Sequence, residues 1–210
     1  MKTVFRSSSP VAEIAVLLLL AVLQLAVNVH AGAPPPGSVK IDGFDYNGDG
    51  CPVGSVQGSI SGDSKALTVM FSAFTATMDE GQQNMRKSCV VSVMLNYPPG
   101  FFFTLGTVTM RGYAKLDAGV KGTVKTSYYI SALIGSGQAT HVFNGQFDGN
   151  YEVTDYFLNA VASECGKIRN LNINSEVRVN PEKPPRSRII TMDSQDLKLT
   201  QIFAVNWSSC

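Results

Sequence analysis

Short runs in which apolar and polar positions alternate dominate the chain, and the clearest spans Lys87 to Tyr113. There Cys89, Val91, Val93 and Leu95 share one face, with Ser92 and Asn96 on the other. Tyr97-Pro98-Pro99-Gly100 interrupts the run, and Phe101, Phe103 and Leu105 resume the alternation. Two half-buried strands joined as a hairpin by a short Pro/Gly loop account for this pattern most simply.

The same period recurs along the chain. A short strand is expected at Val39–Ile41, then a turn-rich loop over Gly43–Gly50, a strand over Val53–Ile60 and a firm one over Ala66–Phe74. Thr75–Arg86 has no periodicity and reads as an exposed loop. Beyond the hairpin, Asp117-Ala118-Gly119 marks a turn, and Val120–Ile130 is a strand rich in threonine, valine and tyrosine. A short strand at His141–Phe143 follows, with the turn dipeptides Asn144-Gly145 and Asp148-Gly149 close behind. Tyr151–Val161 fits a strand better than a helix, and Lys167–Val179 alternates strongly. Pro181–Arg188 is a charged, proline-rich loop, and Thr191–Asp196 turns the chain into a last strand. There Leu197, Leu199, Phe203, Val205 and Trp207 share one parity. Many short strands with few helix signals predict an all-β chain, a single disulfide-stabilised antiparallel β-sandwich.

The first residues change the cellular setting. Lys2 and Arg6 precede an apolar run from Ile14 to Val27, and Val29-His30-Ala31 offers small residues for cleavage. That is the form of a secretory signal peptide, since a membrane span needs about 20 apolar residues. The expected organisation is a signal peptide over 1–31, a flexible proline-rich leader over 32–38 and a β-sandwich domain over 39–210. Removing residues 1–31 takes away two bases and one acid, leaving fifteen of each. A neutral chain of this kind argues against nucleic acid or an anionic membrane as partner, because both require a basic excess. The mature protein is expected to be secreted, extracellular, free of the membrane and monomeric.

Four cysteines, Cys51, Cys89, Cys165 and Cys210, lie in the mature part. An even count in a secreted chain reads as two disulfides with three connectivities. Cys51–Cys89 with Cys165–Cys210 is preferred, and a four-thiolate zinc site lacks the close cysteine pairs that such sites favour.

With the strands laid out, several segments together become distinctive: CPVGSV at Cys51, LTVMFSAFTA at Leu67, RKSC at Arg86 and YPPGF at Tyr97. RGYAKLDAGVKGT at Arg111, SYYIS at Ser127, LNINSEVRV at Leu171 and TQIFAVNWSSC at Thr200 follow in order. They resemble the secreted, cysteine-bearing family known as domain of unknown function 4360, over nearly the whole mature chain. The resemblance implies a single secreted β-rich domain with the four cysteines as its framework, and brings no catalytic residues with it.

Candidate chemistry is sparse. Asp45, Asn47 and Asp49 fall at D-x-N-x-D-G spacing, the first half of a calcium loop, but Val56 stands where that loop needs a bidentate glutamate. Calcium is therefore the one cofactor weighed, against an Asx/Gly turn leading into a disulfide. His141, the single histidine of the mature part, has no nucleophile elbow beside it. Asp117, Asp148, Glu152, Asp155, Glu164 and Glu176 supply carboxylates for glycoside hydrolysis only if two of them converge. Aromatic residues are the better hint. Phe101, Phe102 and Phe103 cannot all face one way, nor can Tyr128 and Tyr129, so Tyr97, Phe102, Tyr128 and Tyr129 are ligand-binding candidates. Asn206-Trp207-Ser208 is a glycosylation sequon, with Asn206 facing out if Trp207 faces in. The expected function is non-enzymatic binding of a carbohydrate or a protein at the cell surface or matrix. The alternative is an extracellular carbohydrate-active hydrolase or lyase using converging carboxylates.

Overall fold

The computed structural model of the protein describes residues 32–78, 86–181, 190–192 and 199–210. The expected signal peptide, most of the Thr75–Arg86 loop, the 182–188 loop and the 193–198 turn lie outside these residues. Among the described residues there are twelve strands and no helix. In chain order they are β1 (Lys40–Asn47), β2 (Val56–Ile60), β3 (Ala66–Phe71), β4 (Ala76–Met78), β5 (Arg86–Asn96) and β6 (Phe101–Leu116). Then come β7 (Val120–Ile130), β8 (Gly137–Asn144), β9 (Phe147–Tyr156), β10 (Asn170–Pro181), β11 (Ile190–Met192) and β12 (Leu199–Ser209).

Two antiparallel sheets pack face to face. One has five strands in the order β1-β5-β10-β7-β8. The other has seven: β2-β3-β12-β6 in sequence across the sheet, β9 along the far side of β6, and the short β4–β11 pair reached through Met192 opposite Ala114. Every strand pair is antiparallel.

The alternation in the sequence becomes the core. Val91, Val93 and Leu95 of β5, Leu171, Ile173 and Val177 of β10, and Leu67, Val69 and Phe71 of β3 all point inward and are buried. Each such side chain contributes roughly 1.5–3 kcal/mol by leaving water.

Four expectations are corrected. The run from Lys87 to Tyr113 is not a hairpin: β5 belongs to the five-stranded sheet and β6 to the seven-stranded one. Pro98 and Pro99 fix φ, and the residue before a proline is held extended. The YPPG link thus carries the chain across the sandwich instead of folding it back in plane, and Leu95 and Phe103 end up in one core. Gly43–Gly50 is not a loop throughout, because β1 runs on to Asn47, with a bulge between Ile41 and Gly43. Asp148-Gly149 is not a turn but lies inside β9, paired with Lys115 and Ala114 of β6. Residues 76–78, expected to be loop, form β4.

The packed unit spans Ala33–Cys210. Within the segment expected to be a flexible leader, Pro34 is buried, and Gly37 N–H donates to the Gly62 carbonyl at 2.9 Å.

Two disulfides close the fold: Cys51–Cys89, with Cα atoms 5.7 Å apart, and Cys165–Cys210, at 6.0 Å. The first ties the turn after β1 to β5. Backbone approach there is close, since a Cβ on Gly48 (φ +153) would lie 2.2 Å from the Ser88 oxygen, and one on Gly50 would meet the Phe74 ring at 2.1 Å. Only glycine fits either place.

Candidate functional site

The aromatic candidates part company in the fold. Tyr97 is buried, edge-on to Trp207 with ring centroids 5.1 Å apart, and its hydroxyl donates to the Lys167 carbonyl at 3.2 Å. Tyr128 is fully buried; its hydroxyl accepts from Val161 N–H at 2.9 Å and donates to the Val161 carbonyl at 3.1 Å. Burial raises its pKa above the ordinary tyrosine value, and it stays a neutral donor. Both are structural residues, a correction the alternation alone could not supply for Tyr97, which follows the end of its strand. Phe102 is half-buried on the outside of the seven-stranded sheet, and Tyr129 is 44% exposed on the outside of the five-stranded one. The four therefore do not form one site.

Tyr129 has the more suggestive surroundings. On the outer face of the five-stranded sheet, Asp45, Ser92, Asn172 and Tyr129 form one cross-strand row. Asn47, Val90, Asn174, Ser127 and Gln138 form the next. A bridge extends that second row to Leu158. Neighbouring strands stand about 4.8 Å apart, so these side chains make a regular polar grid with one ring set into it. Asn172 is fixed in place: its amide nitrogen donates to Ser131 Oγ at 3.0 Å and to the Asn170 carbonyl at 3.3 Å. Asn172 itself is buried, 8% exposed, and its amide oxygen has no hydrogen bond among the described residues. Asn172 was not singled out from the sequence. The signal was there in the alternating asparagines of LNINSEVRVN, which stand where a solvated face usually carries charges.

The carboxylates disperse. Glu176 pairs with Arg86 at 2.7 Å and Arg178 at 3.6 Å, Glu152 with Arg111 at 3.0 Å, and Asp148 with Lys115 at 3.7 Å. Glu164 takes Lys167 and Arg169, and Asp155 faces His141 Nδ1 at 3.2 Å across the gap between β9 and β8. Five of the six acids named from the sequence thus have separate partners.

The D-x-N-x-D-G stretch is drawn out. Asp45 and Asn47 lie on extended β1, while Asp49 accepts from Ser88 N–H at 2.8 Å and from its hydroxyl at 3.3 Å. Burial pushes the Asp49 carboxyl up, but the Ser88 hydrogen bonds and nearby Lys87 outweigh it and hold the group below the ordinary aspartate range. Among the described residues, no three histidine, cysteine or acidic side chains gather as a metal cluster.

A feature the sequence reading passed over crosses the core. Gln201 of β12 donates to Thr126 Oγ1 of β7 at 2.8 Å and accepts from Ser175 Oγ of β10 at 2.7 Å, all three fully buried. Gln201 stands at the apolar parity of the last strand, between Leu199 and Phe203, and that mismatch was the legible sign.

The model of a domain of unknown function, DUF4360, matches residues 37–210. The chain belongs to the DUF4360 family. An uncharacterized secreted protein of Arthroderma benhamiae is 36% identical over 187 residues, covering 87% of this chain and 76% of that protein. The DUF4360 chain is secreted and extracellular, and its two disulfides suit that compartment. Among solved structures, TmCBM61 in complex with β-1,4-galactotriose aligns at TM-score 0.30 and 13% identity, over 81% of this chain and 91% of that one. A carbohydrate-binding module of the β-sandwich superfamily aligns at TM-score 0.31 and 12% identity, over 84% and 63%. Likenesses this distant carry no functional argument.

Proposed function

We propose that this DUF4360 protein is a non-catalytic extracellular binding module that takes a neutral polysaccharide on the outer face of its five-stranded sheet. The observation that carries the reading is the half-exposed Tyr129 ring set among the amides and hydroxyls of Ser92, Asn174, Ser127 and Gln138 on its own and neighbouring strands. A sugar ring has an apolar C–H face and a rim of hydroxyls, and it calls for that combination of a flat ring and two-way hydrogen-bonding groups. The balanced charge of the mature chain favours an uncharged ligand over an anionic one. The separate partners of the acids favour binding over hydrolysis, since a glycosidase needs two carboxylates flanking one bond. An extracellular protein is the other occupant this face would accept.

Affinity electrophoresis through gels of neutral polysaccharides tests the reading. Wild-type protein is expected to be retarded by at least one of them. Tyr129→Ala should weaken retention about tenfold, the equivalent of roughly 1.4 kcal/mol, with the melting temperature unchanged. Retention by none of them, or equal retention by wild type and variant, would overturn it.

A further inference from the structure

The outer face of the seven-stranded sheet carries a different device near the end of β12. Asn206 and Ser208 are exposed there, and Trp207 between them is turned inward and anchored, its indole nitrogen donating to the Ser64 carbonyl at 2.7 Å. The anchoring fixes the two polar residues of the Asn-Trp-Ser sequon on the solvent side. Across the strand pair, Asn206 stands opposite Thr104 and Ser208 opposite Phe102.

The local backbone makes room for Asn206. The ladder between β12 and β6 is irregular between Phe203 and Val205, and Gly106 comes to lie beneath the Asn206 side chain. A Cβ on Gly106 would stand 2.4 Å from Asn206 Nδ2, so any larger residue would crowd that nitrogen. The carboxamide has no hydrogen bond among the described residues, and replacing one of its N–H groups breaks nothing. Phe102, half-buried on this face, is the diagonal neighbour of Asn206, a relation that puts Cα atoms about 7–8 Å apart and within reach of a large group.

We infer that Asn206 carries an N-linked glycan whose first N-acetylglucosamine lies over the Phe102 ring. In the attachment, a bond forms between Asn206 Nδ2 and C1 of the sugar, while the C1–O bond to the pyrophosphate of a lipid-linked oligosaccharide breaks. The lipid pyrophosphate leaves, and the displaced amide proton passes to solvent. No oxidant or reductant takes part. The inference stands apart from the polysaccharide reading, because it concerns the opposite face and needs no ligand. It also gives Phe102 a covering other than a free partner.

The test is secretion from a eukaryotic host that modifies a control sequon, followed by reduction, trypsin and mass measurement of the peptide Leu199–Cys210. The expected result is that peptide carrying an oligosaccharide that peptide-N-glycosidase removes. Ser208→Ala and Asn206→Gln should each abolish the modification, and the serine variant keeps the asparagine if its loss impairs folding. Glycosylated wild type should melt a few degrees above the enzymatically trimmed protein, and Phe102→Ala should erase that difference. An unmodified Asn206 would overturn the inference. A melting difference that survives in Phe102→Ala would overturn the placement of the first sugar.

Discussion

The indole nitrogen of Trp207 donates to the main-chain oxygen of Ser64 at 2.7 Å, joining positions 143 residues apart. Ser64 is fully buried and holds a left-handed backbone conformation, with φ of 63°. Trp207→Phe keeps most of the ring packing against Tyr97 and Phe103 but leaves that carbonyl without its donor. A loss of about 1–3 kcal/mol in urea unfolding is expected. An unchanged midpoint would mean that water replaces the indole.

The Ser175–Gln201–Thr126 chain should behave as a unit. Gln201→Leu leaves the buried Ser175 hydroxyl without a partner and Thr126 with only the Met110 sulfur, and is expected to cost about 1–3 kcal/mol. Ser175→Ala and Thr126→Val, added to it, should recover much of the loss, since an apolar replacement of the whole chain leaves nothing unsatisfied. Strictly additive losses in chemical denaturation would count against coupling.

Removing the Cys51–Cys89 bridge by paired serine substitutions opens a loop of 38 residues. On the chain-entropy account the stability lost is about 4 kcal/mol, and the Cys165–Cys210 bridge, spanning 45 residues, should give nearly the same value. Guanidinium midpoints of the two double variants give the comparison.

Glu164 supplies a pH signature. Hydrogen bonds from Lys167 and Arg169 hold its carboxyl below the ordinary glutamate range. A carboxylate with a lowered folded pKa stabilises the fold above the unfolded value of about 4.3, and that stabilisation fades as pH falls through the folded value. The stability gap between wild type and Glu164→Gln should therefore be constant above about pH 6 and close in acid below about pH 4. A gap that widens in acid would contradict the ion pairs.

Millimolar calcium is expected to leave the melting temperature where it is. Asp45 and Asn47 extend along β1, and Asp49 is already engaged by Ser88 and Lys87. A rise on adding calcium would mean that the turn refolds around the ion, with oxygen ligands from elsewhere.

Faces were legible in the sequence and neighbours were not. The alternation through Val91, Val93 and Leu95 marks which side is buried, but a period of two says nothing about which strand lies alongside. Hence β5 and β6 looked like a hairpin although they lie in different sheets. Glycines misled for a related reason. Gly43 and Gly149 sit inside strands, where close packing or a solvent-facing position tolerates them, yet in sequence they read as turns. The disulfide pairs chosen on spacing, Cys51–Cys89 and Cys165–Cys210, are the ones the structure contains. Tyr97 was the hardest residue to read, because the Ser163, Glu164 and Lys167 groups around its hydroxyl lie 66 to 70 residues away. Tyr129 and Asn172 meet only because β7 and β10 are paired, a fact of topology with no local trace.

The position of β12 has a consequence for the order of events at the ribosome. It lies between β3 and β6, so those two strands gain a common neighbour only once Leu199–Ser209 have been made. Synthesis proceeds at about 5–20 residues per second, and the stretch from Phe71 to Leu199 therefore takes on the order of ten seconds. Through that interval β3, and β6 once Leu116 has been made, have open edges facing the gap that β12 will fill, and such edges pair readily with other chains. A nascent chain of this kind has the greatest need of a chaperone just before its final strand emerges.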